Sequence, residues 1–499
     1  MREKEFLMTR YSGIISSIGM ILFLSSFVMV TPILILFSFP EEANHAWDFI
    51  IPSIYLSLIG ITMWKWFHPP YSITLTVQEG GVVVIFSWII VILFSAWPFT
   101  SVLGIPYSRA LFESVSGWTT TGLSVVDVSS ACKMILIWRS IIQLAGGAGL
   151  AIIMMSAIIG PTGVGISSAE GRSDQLVPNV RRSARIVLII YLLYAITGII
   201  AYHISGMSLF DAFNHSFTAV STGGFSTRYD SIGYWDSATI EAVSVILMIL
   251  GNLSFVTAWY LWRGEFRVVS RNGEVRLMGV LIPLSVALLY ILTSSALFPG
   301  IEKPIRVAVF EAVSAITTTG FSTVTYNNWN ALGIFLLVIL MMIGGGTCST
   351  AGGIKQFRIY FLLKMLYWEI KSYLLPTTAV FARPVWEGNR QVFVDDAKVR
   401  QVMTFISLYM ATYVLGVMVL CSCGYSLSDS LFEFASAIGT VGISIGVTSP
   451  QMADIALWSE TIAMFLGRME LIIVFTSIIK IADDSRKMLG KKDSVWNLY

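Results

Sequence analysis

The long apolar runs of this chain constrain its fold more than any other feature. The first run, from Tyr11 to Pro40, contains no Asp, Glu, Lys or Arg. A membrane-spanning helix needs about 20 mostly apolar residues, whereas the apolar core of a signal peptide has about 7–15 residues before a small-residue cleavage site. The run is too long for a signal peptide and shows no such site, so we expect a retained membrane span.

Further runs of this kind predict about ten membrane spans. The expected spans cover residues 13–38, 49–66, 81–100, 134–160, 184–205, 240–262, 277–298, 331–363, 401–424 and 456–481. Shorter apolar segments lie near residues 107–120, 208–221, 305–318 and 428–440, and each ends in small polar residues and glycine. Because these segments are too short to cross a bilayer, we expect them to enter the membrane and return as re-entrant loops.

Composition agrees with a membrane protein and excludes several other classes. Only 12% of the residues are charged and 55% are hydrophobic, whereas about 25% of the residues of soluble domains are charged. The net charge of +2 gives no indication of nucleic-acid binding. The 4 cysteines and 4 histidines form neither a disulfide framework nor a zinc pattern, and no HExxH or GxSxG motif lies in a span. We therefore expect a protein that is not an enzyme.

Basic residues occur mainly in alternate connections, provided that the short apolar segments do not cross. These connections contain Arg2, Lys4 and Arg10; Arg172, Arg181, Arg182 and Arg185; Arg263, Arg267, Arg271 and Arg276; the stretch 355–400; and Arg486, Lys487, Lys491 and Lys492. Since Lys and Arg accumulate in cytoplasmic connections, we expect both termini to be cytoplasmic. The longest such connection, at about 370–400, has apolar runs on both sides of Gly388-Asn389, which predicts a small β-hairpin.

An internal repeat gives the strongest indication of function. Four segments align without gaps: 112–122 is FESVSGWTTTG, 213–223 is FNHSFTAVSTG, 310–320 is FEAVSAITTTG and 432–442 is FEFASAIGTVG. Each begins with Phe, ends with Gly and lies between two predicted spans. Such a repeated supersecondary unit is much stronger evidence than a single Thr-Thr-Thr-Gly.

The repeated strips have the composition of a cation filter. Irregular backbone within a membrane is tolerated only where protein buries it or where it lines a water-filled cavity. Extended strips of Thr and Gly can direct carbonyl oxygens at one axis, where they replace the hydration shell of an ion. The expected ion-binding residues are Thr120, Thr121, Gly122, Ser221, Thr222, Gly223, Thr318, Thr319, Gly320, Thr440, Val441 and Gly442. We interpret the repeat as a pore for a monovalent cation; the alternative is a set of ordinary Gly-Thr turns that bind no ion.

These repeats, together with Ser221-Thr-Gly-Gly-Phe-Ser226, resemble the Trk/Ktr/HKT superfamily of potassium transport proteins, and specifically its Trk-type pore-forming membrane subunit. The resemblance covers residues from about 80 to 482. It implies an all-α polytopic membrane protein with two N-terminal transmembrane helices and four membrane–pore–membrane repeats in pseudo-fourfold symmetry. Potassium, as the substrate, would be taken up across a bacterial or archaeal cytoplasmic (inner) membrane.

The ion preference also follows from this resemblance. In plant relatives, serine in place of the first filter glycine accompanies sodium transport, so that Gly122 favours potassium. A sodium or weakly selective monovalent cation transporter of the same fold is the alternative.

The resemblance divides the chain into seven regions. We expect an N-terminal two-helix region at 1–79, pore repeats at 80–163, 164–264, 265–372 and 400–482, a cytoplasmic connection with the hairpin at 373–399, and a cytoplasmic tail at 483–499.

A glycine-rich stretch interrupts the expected span at 331–363. It contains Gly344, Gly345, Gly346, Thr347, Ser349, Thr350, Gly352 and Gly353. Each glycine in a helix costs about 1 kcal/mol relative to alanine, so a tightly held helix is not expected there. The resemblance implies an intramembrane gating loop below the filter at 344–353; close helix packing through small residues is the alternative.

Arg468 interrupts another apolar span. A central arginine in a span needs a polar partner, and the carbonyls of the 344–353 loop are the best candidates. The resemblance assigns Arg468 to the gate, and a purely structural cross-link is the alternative.

Three carboxylates, Glu113, Glu311 and Glu433, recur at one position of the repeat, where the second copy has Asn214. We expect them to accept hydrogen bonds from backbone behind the filter; the alternative is that they contribute negative potential or relay protons.

The resemblance further implies partners. The chain would form a homodimer, and a cytoplasmic TrkA-like ring of nucleotide-binding regulatory subunits would dock on the basic connections. The chain itself would need no cofactor, since any NAD or ATP would bind the regulatory subunit.

Overall fold

The computed structural model describes residues 2–69, 75–149, 180–376, 384–387 and 390–489. The end of the predicted span at 134–160 lies outside these residues, as do Arg172, Lys491, Lys492 and the turn Gly388-Asn389. The described chain forms two compact units. One comprises the described residues of 1–118, 130–189 and 469–499, and the other comprises those of 119–129 and 190–468.

The described chain is helical apart from one small sheet. The N-terminal helices are α1 (Arg2–Val30), α2 (Ala46–Trp66), α3 (Val77–Ser95), α4 (Trp97–Leu103), α5 (Tyr107–Trp118), α6 (Lys133–Ala148) and α7 (Val180–Ile204), with 3₁₀ turns at Thr31–Phe37 and Pro40–His45. A capping box begins α3, because the Thr76 side chain accepts from Glu79 N and the Glu79 side chain accepts from Thr76 N.

The remaining helices follow in chain order. They are α8 (Leu209–Val220), α9 (Ala238–Asn252), α10 (Phe255–Trp262), α11 (Phe266–Arg271), α12 (Gly273–Leu289), α13 (Glu302–Ile316), α14 (Ala331–Ile343), α15 (Gln356–Tyr373), α16 (Asp396–Ser422), α17 (Leu427–Ile438), α18 (Asp454–Met469) and α19 (Leu471–Met488). A 3₁₀ turn at Ser231–Trp235 precedes α9, and α12 continues through a π-helical turn at Tyr290–Ser294 into a short helix at Ser295–Leu297.

Six helical segments of the described chain are long and apolar enough to cross a membrane. They cover Lys4–Phe37, Pro40–Trp66, Val77–Leu103, Ser183–Ile204, Gly273–Leu297 and Asp396–Ser422. The pairs α9/α10 and α18/α19 each qualify as one broken span, and α14 is a shorter apolar helix. Large apolar side chains such as Leu58, Ile196 and Leu415 are exposed on these helices, as expected of surfaces that face lipid.

Three predicted spans are interrupted. Helices α9 and α10 meet at 113°, and Ser254 begins α10 by accepting a hydrogen bond from Thr257 N at 3.1 Å. Helix α14 ends at Gly344, whose φ is +70°, and Glu470 separates α18 from α19 with a φ of +56°. A residue in the left-handed region cannot continue a right-handed helix, so Gly344 and Glu470 break two of the spans, whereas extended backbone at Leu253 ends α9.

The small sheet lies between α15 and α16 in the sequence. Strand β1 (Pro384–Glu387) pairs antiparallel with β2 (Arg390–Phe393), with Val385 and Val392 as backbone partners in the register. Val385 is buried in an apolar cluster with Phe361 and Trp368 of α15 and Val402 of α16. Val385 is therefore packed onto the helices that flank the sheet.

Candidate functional site

Each of the helices α5, α8, α13 and α17 is followed by a strip of unusual backbone. The strip begins with a threonine in the left-handed region: Thr120 (φ +56°), Thr222 (+51°), Thr318 (+51°) and Thr440 (+50°). Two residues later comes a glycine of positive φ: Gly122 (+94°), Gly224 (+76°), Gly320 (+85°) and Gly442 (+97°). Left-handed backbone is rare for threonine, a β-branched residue. Because a left-handed threonine begins all four strips, four different sequences adopt the same backbone geometry.

The four strips form a closed ring. A methyl group added to Gly122 would meet the carbonyl oxygen of Gly223, and one added to Gly224 would meet that of Thr319. In the same way, Gly320 faces the Val441 carbonyl and Gly442 faces the Thr121 carbonyl, which returns to the first strip. Each glycine thus lies against the carbonyl that precedes the glycine of the next strip. The absence of a side chain is what permits this close approach.

The second strip lies one residue later than its sequence alignment predicted. The N–H of Gly223 donates to Thr218 O at 2.8 Å, as Thr319 N does to Ser314 O (3.0 Å) and Val441 N to Ser436 O (2.8 Å). Gly223 is therefore equivalent to Thr319 and Val441, and the glycine equivalent to Gly122, Gly320 and Gly442 is Gly224. The predicted triplet 221–223 is wrong in this register, because Ser221 is still the helical C-cap of α8. The strip is Thr222-Gly223-Gly224.

A sequence signal for the correct register exists in the helix N-caps. Ser208 caps α8 by accepting from Asp211 N at 3.0 Å, and Ser426 caps α17 by accepting from Asp429 N at 3.1 Å. The two Ser-x-x-Asp signatures are equally far from Gly224 and Gly442. Aligning these caps, rather than the leading Phe213, places the second glycine correctly.

Buried carboxylates hold the turn that follows the strip glycine in the third and fourth repeats. Glu311 Oε1 accepts from Thr323 N (2.9 Å) and Thr323 Oγ1 (2.8 Å), and Tyr326 Oη donates to the other carboxylate oxygen. Glu433 accepts from Ser444 Oγ (2.6 Å) and from Ile445 N (3.2 Å). Both carboxylates thus bind backbone N–H groups of their turns, as expected from the repeat.

The corrected register changes the equivalent residue in the second repeat. It is His215 and not Asn214. His215 is fully buried, and its Nε2 lies 2.9 Å from Ser226 Oγ in the turn after Gly224. Asn214 Nδ2 instead donates to Phe210 O at 2.8 Å, within α8. An imidazole therefore occupies the position that carries a carboxylate in the third and fourth repeats.

The first repeat uses an ion pair at this position. Arg139 Nε, on α6, donates to Glu113 Oε1 at 2.7 Å, and both side chains are almost completely buried. A buried charge requires such a partner.

Glycines on α6, α9 and α18 pack directly against the C-terminal ends of α5, α8 and α17, the helices that precede three of the strips. A methyl group on Gly251 would lie 2.5 Å from Val220 O, and one on Gly467 would collide with Ile438 O. Gly146 is in the same relation to Trp118 O within the first unit. These three glycines permit close packing between each helix that precedes a strip and the helix that follows it.

The glycine-rich stretch between α14 and α15 is an ordered loop. Gly345 N donates to Gly352 O (3.1 Å) and Gly346 N to Asn252 O (3.2 Å). Thr347 N donates to Glu274 Oε1 at 2.8 Å, and Ser349 Oγ donates to Gly346 O at 2.6 Å. Gly344 and Gly353 have φ values of +70° and +76° and lie against each other. The loop is thus fixed by its own hydrogen bonds and by contacts with α9 and α12.

The same loop touches the beginning of three of the four strips. Thr350 Oγ1 lies 3.0 Å from Thr222 Oγ1, and Gly352 N donates to Thr318 Oγ1 at 2.8 Å. The α-carbon of Gly352 lies so close to Thr440 that an added methyl group would collide with Thr440 Oγ1. The predicted gate residues and the predicted filter residues therefore form one continuous site.

Arg468 reaches this loop from α18. Its Nη1 donates to the carbonyl oxygen of Thr350. The partner is a loop carbonyl, as expected for an arginine within an apolar span. A guanidinium beside the strips adds a positive charge next to the ring of carbonyls.

Several known proteins are similar to this chain over nearly its whole length. Residues 48–488 match the model of the TrkH family, described as cation transport protein. The chain is 32% identical to the Trk system potassium uptake protein TrkG of Escherichia coli, over 92% of this chain and 96% of that protein. It is 30% identical to an uncharacterized cation transporter of Methanocaldococcus jannaschii, over 96% and 98% of the two chains. The crystal structure of the potassium transporter TrkH from Vibrio parahaemolyticus matches with a TM-score of 0.80 at 26% identity, covering 94% of this chain and 98% of that chain.

Proposed function

Because this chain belongs to the TrkH family of cation transport proteins, we propose that it takes up potassium across the cytoplasmic membrane through the ring of four filter strips. The family, and with it the all-α polytopic membrane fold predicted from the sequence, is confirmed. The chain is a transporter and not an enzyme. The observation that carries the potassium proposal is the closed ring in which each filter glycine lies against the carbonyl of the next strip.

This ring suits a weakly hydrated monovalent cation. Its oxygens are uncharged carbonyls and threonine hydroxyls, which replace hydration water without binding the ion too tightly to release it. The helices α5, α8, α13 and α17 each end directly before a strip, so the partial negative charge of each helix C-terminus favours a cation. The proposed ion-binding residues are Thr120, Thr121, Gly122, Thr222, Gly223, Gly224, Thr318, Thr319, Gly320, Thr440, Val441 and Gly442.

The loop at 344–353 and Arg468 form the proposed gate. The loop contacts Thr222 and Thr318 through hydrogen bonds and Thr440 through close packing. Arg468 binds the loop at Thr350, and its positive charge repels a cation that approaches the strips. Opening requires the loop to leave this position.

The organisation of the assembly is also part of the proposal. We propose the boundaries expected from the sequence for the two-helix region, the four pore repeats, the hairpin connection and the tail. A homodimer with a cytoplasmic TrkA-like nucleotide-binding ring fits the term "Trk system" in the names of several relatives. Any NAD or ATP would act on that ring, and both termini would be cytoplasmic.

Ion flux into vesicles that contain the purified full chain tests the transport function. We expect potassium to compete strongly with a labelled potassium analogue and sodium to compete weakly. Equal competition by sodium would favour a weakly selective cation transporter, and no flux at all would contradict the proposal.

A substitution at the first strip tests the filter assignment. Gly122→Ser places a side chain at a positive φ and against the Gly223 carbonyl, so we expect weaker discrimination of potassium over sodium. Gly104→Ser is the matched control, because Gly104 also has a positive φ (+66°) but no atom within 4 Å of an added methyl group. An unchanged selectivity in Gly122→Ser would exclude this strip from the filter.

A further inference from the structure

The carboxyl group of Glu460, on α18, has no role in the ring or in the gate. Glu460 and Glu433 are both completely buried, and both contact the hydroxyl group of Thr448. Thr448 Oγ1 lies 2.5 Å from Glu433 Oε1 and 3.0 Å from Glu460 Oε2. Two carboxyl groups therefore share one hydroxyl group in the interior of the second unit.

Glu433 has the surroundings of an ionised carboxylate. It accepts hydrogen bonds from Ser444 Oγ (2.6 Å), Ile445 N (3.2 Å), Thr448 N (3.0 Å) and Thr448 Oγ1 (2.5 Å). Each of these groups donates a proton, and several donors at one carboxyl group favour its charged form. The negative charge of the pair therefore belongs to Glu433.

Glu460 has the opposite surroundings. A threonine hydroxyl has one proton, and the shorter contact shows that Thr448 gives it to Glu433. The contact between Thr448 Oγ1 and Glu460 Oε2 then needs a proton from Glu460. Glu460 Oε1 is buried without a hydrogen-bond partner among the described residues, which is far more costly for a carboxylate than for a neutral acid.

The charged groups around Glu460 also indicate that its carboxyl group is protonated. Among the described residues, the titratable group that lies against Glu460 is Glu433, on α17. No ion pair joins Glu460 to a Lys, Arg or His in the part of the chain that the structure covers. Two neighbouring carboxyl groups without a cation cannot both be ionised in a low-dielectric interior.

We propose that Glu460 is a buried proton-binding site: its neutral carboxylic acid donates to Thr448 and thereby completes the support of the fourth filter strip. The chain of hydrogen bonds runs from Glu460 through Thr448 to Glu433, and from Glu433 to Ser444 and Ile445 directly after Gly442. Loss of the proton places a second negative charge beside Glu433 and removes the donor to Thr448. The turn after Gly442 then loses part of its support.

The third repeat lacks this site. Counted from the filter glycine, Tyr326 corresponds to Thr448 and Val338 to Glu460. Tyr326 donates to Glu311, and Val338 is an apolar buried residue. The proton site is thus a property of the fourth repeat that is not needed for the general architecture.

Infrared spectroscopy on the full chain in lipid vesicles tests the proton directly and does not depend on the proposed transport function. Wild type should show the carbonyl stretch of a protonated carboxylic acid, and Glu460→Gln should lose this band. Thr448→Val keeps Glu460 but removes its hydrogen-bond acceptor, so the band should remain and move to the frequency of a free acid. A band that is unchanged in both variants would overturn the proposal. If Glu460→Gln fails to fold, an unchanged band in Thr448→Val alone would overturn it.

The effect on transport rests on the proposed function and has a separate readout. Potassium flux of wild type should fall as the pH is raised and Glu460 loses its proton. Glu460→Gln, which cannot lose a proton, should not show this fall. If potassium flux fell equally with rising pH in wild type and in Glu460→Gln, the proton would have no role in supporting the strip. If no variant and no wild type showed flux, the transport proposal would be contradicted and the infrared result would still stand.

Discussion

The hydroxyl groups of Thr222 and Thr350 lie 3.0 Å apart, which joins the second filter strip to the loop between α14 and α15. Thr350 Oγ1 also donates to Gly251 O at 2.9 Å, and the Thr350 carbonyl accepts from Arg468. One loop residue therefore contacts a filter strip, the end of α9 and the arginine of α18. Displacing the loop requires these contacts to break together, so in the proposed gate their strength would set the population of the closed state.

Removal of the Arg468 side chain should raise cation flux. A hydrogen bond to a charged group contributes about 1.5–3 kcal/mol, so its loss in Arg468→Ala should increase the open population roughly tenfold or more. Flux of potassium into vesicles measures the change. Arg267→Ala, which removes a basic residue from α11, is the control and should behave as wild type. Equal flux in Arg468→Ala and wild type would remove Arg468 from the gate.

A small side chain at Gly352 should also open the pathway. A methyl group there would collide with Thr440 Oγ1 and Gly439 O, and a packed interior cannot absorb such an overlap without a backbone shift. Gly352→Ala should therefore push the loop away from the strips and raise flux. Gly279→Ala, at a helical glycine with no atom within 4 Å of the added group, is the matched control. Reduced flux with an unshifted loop would contradict the prediction.

Adjacent glycines in the second repeat should differ sharply on substitution. Gly224 has a φ of +76°, and a methyl group there would meet the Thr319 carbonyl. Left-handed backbone costs a non-glycine residue about 1–2 kcal/mol before any collision. Gly224→Ala should therefore reduce potassium selectivity and flux more than Gly223→Ala, which keeps the glycine of the ring. The ratio of potassium to sodium flux in the two variants measures this. A larger effect of Gly223→Ala would restore the register predicted from the sequence alignment.

The ungapped alignment of the repeats was sufficient to find the four strips but not to fix the register of the second one. An ungapped match beginning at Phe213 ends at Gly223, and the following Gly224 leaves a second alignment open. The distance from the N-cap Ser208 to the left-handed Thr222 decides between them, because helix geometry fixes how far α8 can extend before its strip. The Ser-x-x-Asp caps at Ser208 and Ser426 carry that distance in the sequence, whereas the match of the leading Phe residues does not.

The contacts between repeats could not be predicted in the same way. The glycine content of 344–353 indicated a break in the helix, and the apolar surroundings of Arg468 indicated a buried partner. The sequence does not show how distant segments pack. It therefore could not identify Thr350 as the partner of Arg468, or the contact between Gly352 and Thr440. The proton site at Glu460 was missed for a related reason, since a single glutamate in a helix gives no sign of a second carboxyl group until the turn at Thr448 brings them together.

Substitutions at His215 should show whether its hydrogen bond to Ser226 holds the second strip or whether the imidazole ring only fills space. His215 Nδ1 lies 2.8 Å from Asp211 O, which can only accept, so Nδ1 carries the proton and Nε2 accepts from Ser226 Oγ at 2.9 Å. His215→Ala removes the acceptor and should lower the preference for potassium over sodium, whereas His215→Glu, which supplies the carboxylate found in the third and fourth repeats, should retain more of it. Competition between the two ions in vesicle flux measures the difference. If His215→Ala kept the wild-type preference, or if the two variants lost it equally, the hydrogen bond to Ser226 would have no part in holding the second strip.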